Sequence, residues 1–182
     1  MFELVTGAQL QRIGVPSSFE SPSDVTNQIA GTPLLVECKR PTSLSAMAKR
    51  LQEGYRQLSE HRRAGHGGFG AIAIEASLLV NPEFGVLVDA DPTSMLYRHL
   101  QRILGEAKDQ LGRAARNSRP DAHVHLLMLR VKCIAGDGEH APNITQVWHL
   151  EPLTPLDSPE FVALYQAMLR MPGFTPGVHV SR

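Results

Sequence analysis

Short apolar runs alternate along this chain with longer segments in which apolar residues recur every three to four positions, and that alternation sets its predicted elements. Residues 2–12 predict a helix, 15–20 a weak strand, and 23–29 and 33–39 two strands joined at Ala30-Gly31, where glycine can take the positive φ of a tight turn. Thr42 or Ser43, following Pro41, opens a helix over 43–63 with an apolar stripe of Leu44, Met47, Ala48, Leu51, Tyr55 and Leu58. Ala71-Ile72-Ala73-Ile74 begins a buried strand running towards Val80, and Pro82 to Asp91 is turn-rich. Residues 94–116 predict a long helix, 123–135 and 144–150 two strands, and 159–170 a last helix. Strands alternating with helices indicate an α/β fold. With no linker-like stretch between the halves, the expectation is a single domain over 1–182, its later strands extending the same sheet.

The second of the paired strands ends in Glu37-Cys38-Lys39-Arg40-Pro41. Residues i and i+2 of a strand share a face, so Glu37 and Lys39 point one way and Cys38 the other. A turn centred between Ala30 and Gly31 sets Asp24 directly opposite Glu37, with Cβ atoms roughly 4.5 to 5.5 Å apart. Two carboxylates and a lysine then converge. Carboxylates that close repel unless a cation compensates, and an oxygen-only set suits Mg²⁺ or Mn²⁺ rather than zinc. Such an ion can polarise a phosphodiester, with Lys39 orienting water or neutralising developing charge. The chain carries its own control in Glu106-Ala107-Lys108, which has the same spacing on a predicted helix where i and i+2 do not face each other. That copy reads as a solvated helix surface.

Asp24, then Glu37-Cys38-Lys39-Arg40-Pro41, then a helix carrying Gln57-Leu58 resembles the pattern of the PD-(D/E)XK nuclease superfamily. Ser23 stands immediately before Asp24, with Pro22 one place earlier, where the pattern has proline next to the aspartate. The resemblance covers residues 2 to about 80 and implies a three-layer α/β/α restriction-endonuclease-like core in the order αβββαβ. Its mixed central sheet would be extended by strands and covering helices over 81–175, with 176–182 as a tail. It further implies that Asp24, Glu37 and the main-chain carbonyl of Cys38 hold the metal and that Lys39 acts on the attacking water. Gln57 would support the site, and Glu3, in Phe2-Glu3-Leu4-Val5, matches a glutamate that members carry in the helix before the first strand. Gln52 competes with Gln57 for the helix position, since the two lie on opposite flanks of the apolar stripe.

Composition changes this picture little. The chain has 182 residues, a formal net charge of zero and two cysteines, which fits a soluble enzyme with reduced thiols rather than a disulfide framework. No apolar run approaches 18 residues and no charged-then-apolar leader opens the chain, so the expected setting is cytoplasmic with no membrane partner. Zero net charge argues against coating nucleic acid by bulk electrostatics, yet between Glu37 and His66 seven Lys and Arg face three Glu. Of these, Lys49, Arg56 and Arg63 share a helix flank with Gln52, and together with Arg40 they form the expected nucleic-acid-binding set.

Other motifs carry less. Gly65-His66-Gly67-Gly68-Phe69-Gly70 satisfies Gly-x-Gly-x-x-Gly but follows a helix and precedes a strand, the reverse of a dinucleotide-binding turn. His123 and His125 share a strand face without a third ligand, and Asp137-Gly138-Glu139-His140 reads as a hairpin tip. Two function classes follow. One is a Mg²⁺-dependent endonuclease, with Mn²⁺ able to substitute, acting on DNA in preference to RNA and leaving room for a homodimer or larger assembly. The other is a catalytically idle module of the same fold that binds nucleic acid or a protein partner.

Overall fold

A computed structural model describes residues 2–12, 14–19, 23–29, 31–117, 124–154 and 159–170. Ala30 of the predicted turn, His123 and the 176–182 tail lie outside the described residues. The helices are α1 (Phe2–Arg12), α2 (Leu44–Arg63), α3 (Ser77–Val80), α4 (Pro92–Asn117) and α5 (Pro159–Met168). The strands are β1 (Ser17–Ser18), β2 (Val25–Ile29), β3 (Thr32–Lys39), β4 (Phe69–Glu75), β5 (Leu87–Val88), β6 (Val124–Gly136) and β7 (Asn143–Pro152). All seven strands join one open sheet, in which β1-β2-β3-β4-β6 run side by side, β5 also pairs β6, and β7 pairs β6 on its far edge. The sheet is mixed: β3, β4 and β6 are mutually parallel, while β2 and β7 run antiparallel to their neighbours. This is an α/β fold.

Apolar residues on the two faces of the sheet form separate cores. Leu35, Ile72, Ile74, Leu127 and Leu129 pack with Met47, Leu51 and Leu58 of α2 and with Leu96, Leu100 and Ile103 of α4. On the other face Val36, Ala71, Ala73, Leu126, Met128 and Trp148 pack with Phe2 and Leu10 of α1 and Phe161 and Leu164 of α5. Burial on both faces explains why β3 and β4 read as continuous apolar runs rather than alternating ones. It also explains why a carboxylate and an ammonium inside β3 demand a chemical account.

Three expectations need correction. The strand expected to run towards Val80 ends at Glu75, because the Glu75 carboxylate accepts from the Ser77 N–H (3.2 Å) and hydroxyl and turns the chain into α3. The turn-rich stretch after Pro82 contains the short strand β5, which pairs Leu87 with Ala135. Leu44 is 43 % exposed, outside the core stripe of α2, since it opens the helix whose first turn Ser43 caps through the Ala46 N–H at 3.1 Å.

Candidate active site

The β2–β3 hairpin sets the geometry. Gly31 has φ +82, the left-handed conformation that glycine adopts without steric penalty, and the turn locks Val25 to Val36 and Thr26 to Leu35. Continuing that register by one residue brings Asp24 opposite Glu37. Asp24 Oδ2 accepts from the Cys38 main-chain N–H at 2.7 Å, so the aspartate side chain takes over the ladder where β2 has not yet begun. Lys39 Nζ lies 2.9 Å from Glu37 Oε2 and 3.6 Å from Asp24 Oδ2. Both carboxylates therefore sit within 3.6 Å of one ammonium.

Burial differs sharply across this trio. Glu37 is 1 % exposed and Lys39 8 %, whereas the Asp24 side chain is 33 % exposed and forms the solvent-facing member. Cys38 points into the α1 layer, where burial pushes its thiol up to about 12, opposed by a bond from Thr6 and reinforced by the negative charges of Asp24 and Glu3. Its side chain lies in the opposite layer from Glu37 and Lys39, so it is the main chain of Cys38 that adjoins them. Glu3, half-buried on α1, is thus near the same strand end from the opposite layer.

Helix α2 covers Glu37 and Lys39. A Cβ on Gly54 would lie 3.2 Å from Ile72 Cδ1 and 3.4 Å from Lys39 Cε, so glycine there lets the helix settle closely over the lysine stem. Seven residues on, His61 Nε2 meets Glu37 Oε1 at 3.0 Å, a partner that sequence reasoning missed. Its signal was helix phase: positions 54, 57 and 61 fall on one flank of the core stripe at about 100° per residue. Gln57 belongs to that flank and is half-buried, with its Oε1 shielded from solvent and lacking a hydrogen-bond partner. Gln52 is exposed on the far flank. Lys49, Arg56 and Arg63 are exposed with it, roughly opposite His61, and Arg56 is tied to Glu60 at 2.6 Å. Arg40 is exposed too, and as the next residue of the chain it points away from Lys39.

Two carboxylates against one ammonium leave surplus negative charge around a buried glutamate, and the Gln57 oxygen has no donor. All these donors are oxygens. Such a set would suit a hard divalent cation better than a soft one, and Asp24, Glu37 and the Cys38 carbonyl are the groups that could hold it. Among the described residues no group of three or more His, Cys, Asp or Glu side chains is arranged to hold a metal, so main-chain oxygen or water would have to complete the shell.

The other sequence motifs resolve structurally. Gly65 ends α2, with its own N–H on Arg62 O and the His66 N–H on His61 O (both 3.0 Å), and Gly68 at φ +113 lets β4 start against Pro33. His125 Nδ1 accepts from the Gly70 N–H at 3.1 Å beside a break in β4–β6 register, and Asp137 accepts from the main-chain N–H groups of Glu139 and His140 at a hairpin tip. The control pair departs from expectation: Lys108 Nζ lies 2.5 Å from Glu151 Oε1, a carboxylate only 10 % exposed that also meets His149. No helix among the described residues is long and apolar enough to cross a membrane. No family model matches the chain, and neither a curated protein nor a solved structure does.

Proposed function

We propose that the protein is a metal-dependent nuclease of the PD-(D/E)XK type that hydrolyses phosphodiester bonds, in DNA before RNA. The observation that carries this reading is the convergence of Asp24, Glu37 and Lys39 at the end of β3. The element order α1, β1–β3, α2, β4 agrees with the αβββαβ core of that superfamily. Mg²⁺ or Mn²⁺ held there would supply Lewis-acid polarisation of the phosphodiester and a lowered pKa for water. The chain's own groups do the rest. Lys39 Nζ orients a water by hydrogen bonding and neutralises charge that develops on phosphate oxygens. Glu37 is held from both sides by Lys39 and His61, which fixes its carboxylate before substrate arrives. Asp24, the exposed member, faces the side from which a phosphodiester approaches.

Titration calorimetry with Mn²⁺ tests the metal assignment apart from catalysis. Wild type should bind, Glu37→Ala and Asp24→Ala should each lose binding while keeping a cooperative thermal transition, and Glu106→Ala should bind as wild type does. Unchanged Mn²⁺ uptake by Glu37→Ala would refute the assignment. Ca²⁺ should compete with Mn²⁺ for binding yet inhibit hydrolysis, because its looser geometry acts less strongly on water.

A further inference from the structure

Beyond the C-terminal ends of β3 and β4, on the side of the sheet that α1 covers, lies a cavity of about 340 Å³, within the size range of small-ligand sites. Its floor holds the buried ion pair of Arg130 and Glu75 at 2.8 Å, and its rim carries Arg40 and Lys132. Neither rim cation is in an ion pair among the described residues, so three cations face one carboxylate. Ser77 and Asn81 also line it, and the apolar part of the wall is open to solvent: Phe84 is 68 % exposed, Ile144 66 % and Ile134 46 %. An anion attached to a flat apolar group matches such a wall and rim.

Phe84 is the more telling residue. At φ +56 it is the one non-glycine residue in the left-handed region among those described, a strained placement for an aromatic side chain. Asn81 enforces it by gripping Gly85 at both ends, Nδ2 to the carbonyl at 2.6 Å and the Gly85 N–H to Oδ1 at 3.1 Å. The Phe84 N–H bonds the Asn81 carbonyl at 3.3 Å. Core packing does not require this ring, since most of it faces water. A strained backbone that exposes an aromatic ring beside two cations without an ion pair among the described residues suits stacking a base and holding its phosphate.

We infer that this cavity binds an unpaired nucleotide of the strand that is cut, its base stacked on Phe84 and its phosphate between Arg40 and Lys132. The inference rests on the nuclease reading, because Arg40 follows Lys39 and the two side chains leave the same strand end towards opposite faces of the sheet. A strand crossing that end would meet both. Inside a duplex a base face is covered by its neighbours, so the pocket selects single-stranded, frayed or flapped substrate.

Fluorescence anisotropy with a labelled 12-nucleotide single strand and its blunt duplex, in chelator, tests the pocket without cleavage. Wild type should bind the single strand about tenfold more tightly than the duplex. Phe84→Gly should lose about tenfold in single-strand affinity, the scale of one base–aromatic stack. The same substitution relieves the positive φ, so its melting temperature should hold or rise, which separates lost binding from lost folding. Lys132→Gln should reduce the slope of log affinity against log salt by about 0.7, one phosphate contact on a single strand. Equal affinity for both DNA forms, affinity unchanged by Phe84→Gly, or displacement of the strand by equimolar deoxynucleoside monophosphate would overturn the inference. Selective binding without metal-dependent cleavage would retain the pocket and reject the nuclease reading; Glu37-dependent cleavage with binding indifferent to Phe84 would do the reverse.

Discussion

Replacing Lys108 by alanine removes the ammonium that lies 2.5 Å from Glu151, while replacing Glu106 two residues earlier removes only surface contacts with Gln110 and Arg113. Two charges about 4 Å apart interact by about 1 kcal/mol in water and about 4 kcal/mol at an effective dielectric near 20. Lys108 is 49 % exposed and Glu151 only 10 %, so the pair lies between these limits, and His149 remains as a second partner after the change. The expected loss for Lys108→Ala is therefore about 2 kcal/mol, against at most about 0.5 kcal/mol for Glu106→Ala. Acid should erase the difference. Burial alone would raise the Glu151 carboxyl, but bonds from Lys108 and His149 outweigh it and hold the group below its usual 4.5. A depressed carboxyl pKa contributes stability above the unfolded value, and that contribution fades as pH falls through the folded one. Urea unfolding at pH 7 and again below about pH 4 should show a gap between the two variants that is wide at neutral pH and narrow in acid. Equal stability of both variants at pH 7, or a gap that persists in acid, would refute the reasoning.

Two further outcomes follow from single contacts. Gly68→Ala should destabilise the protein by about 3 kcal/mol or more in thermal or urea unfolding, because its Cβ would lie 2.2 Å from Pro33 O at φ +113; a loss below about 1 kcal/mol would mean that β4 shifts freely against β3. His61→Ala should weaken Mn²⁺ binding and cleavage by about 10- to 100-fold with the fold intact, the usual effect of removing a group that orients a ligand, measured by calorimetry and steady-state rates.

The parts of the site that follow from local geometry were legible in the sequence. Period two in β3 separated Glu37 and Lys39 from Cys38, and a glycine turn fixed the register that brings Asp24 to them. What escaped depends on contacts between distant segments. His61 reaches Glu37 across 24 residues, and only the packing of α2 over β3 selects it from several polar positions of the helix. Lys108 looked solvated because its partner Glu151 lies on β7, 43 residues away. Ser77-Leu78-Leu79-Val80 continued an apolar run without periodicity, so nothing local distinguished the helical turn that Glu75 initiates. Phe84 was invisible for a related reason, since a positive φ at a non-glycine residue is imposed by Asn81 and Gly85 rather than by its own preference.

The central claim is that Lys39, set between Asp24 and Glu37, acts on the reaction rather than on the fold or on binding. Cleavage of a labelled single strand and duplex with Mn²⁺ or Mg²⁺, by wild type and by Lys39→Ala, measures this directly when DNA affinity and Mn²⁺ uptake are recorded for the same preparations. Wild type should cleave with either ion and stop in chelator. Lys39→Ala should keep DNA affinity and Mn²⁺ uptake, because removing an ammonium that repels the metal offsets the loss of its hold on Glu37, and should lose about 10²-fold or more in rate, the scale of removing one group that orients the nucleophile or stabilises developing charge. Undiminished cleavage by Lys39→Ala, or no metal-dependent cleavage of any form by wild type, would contradict the account.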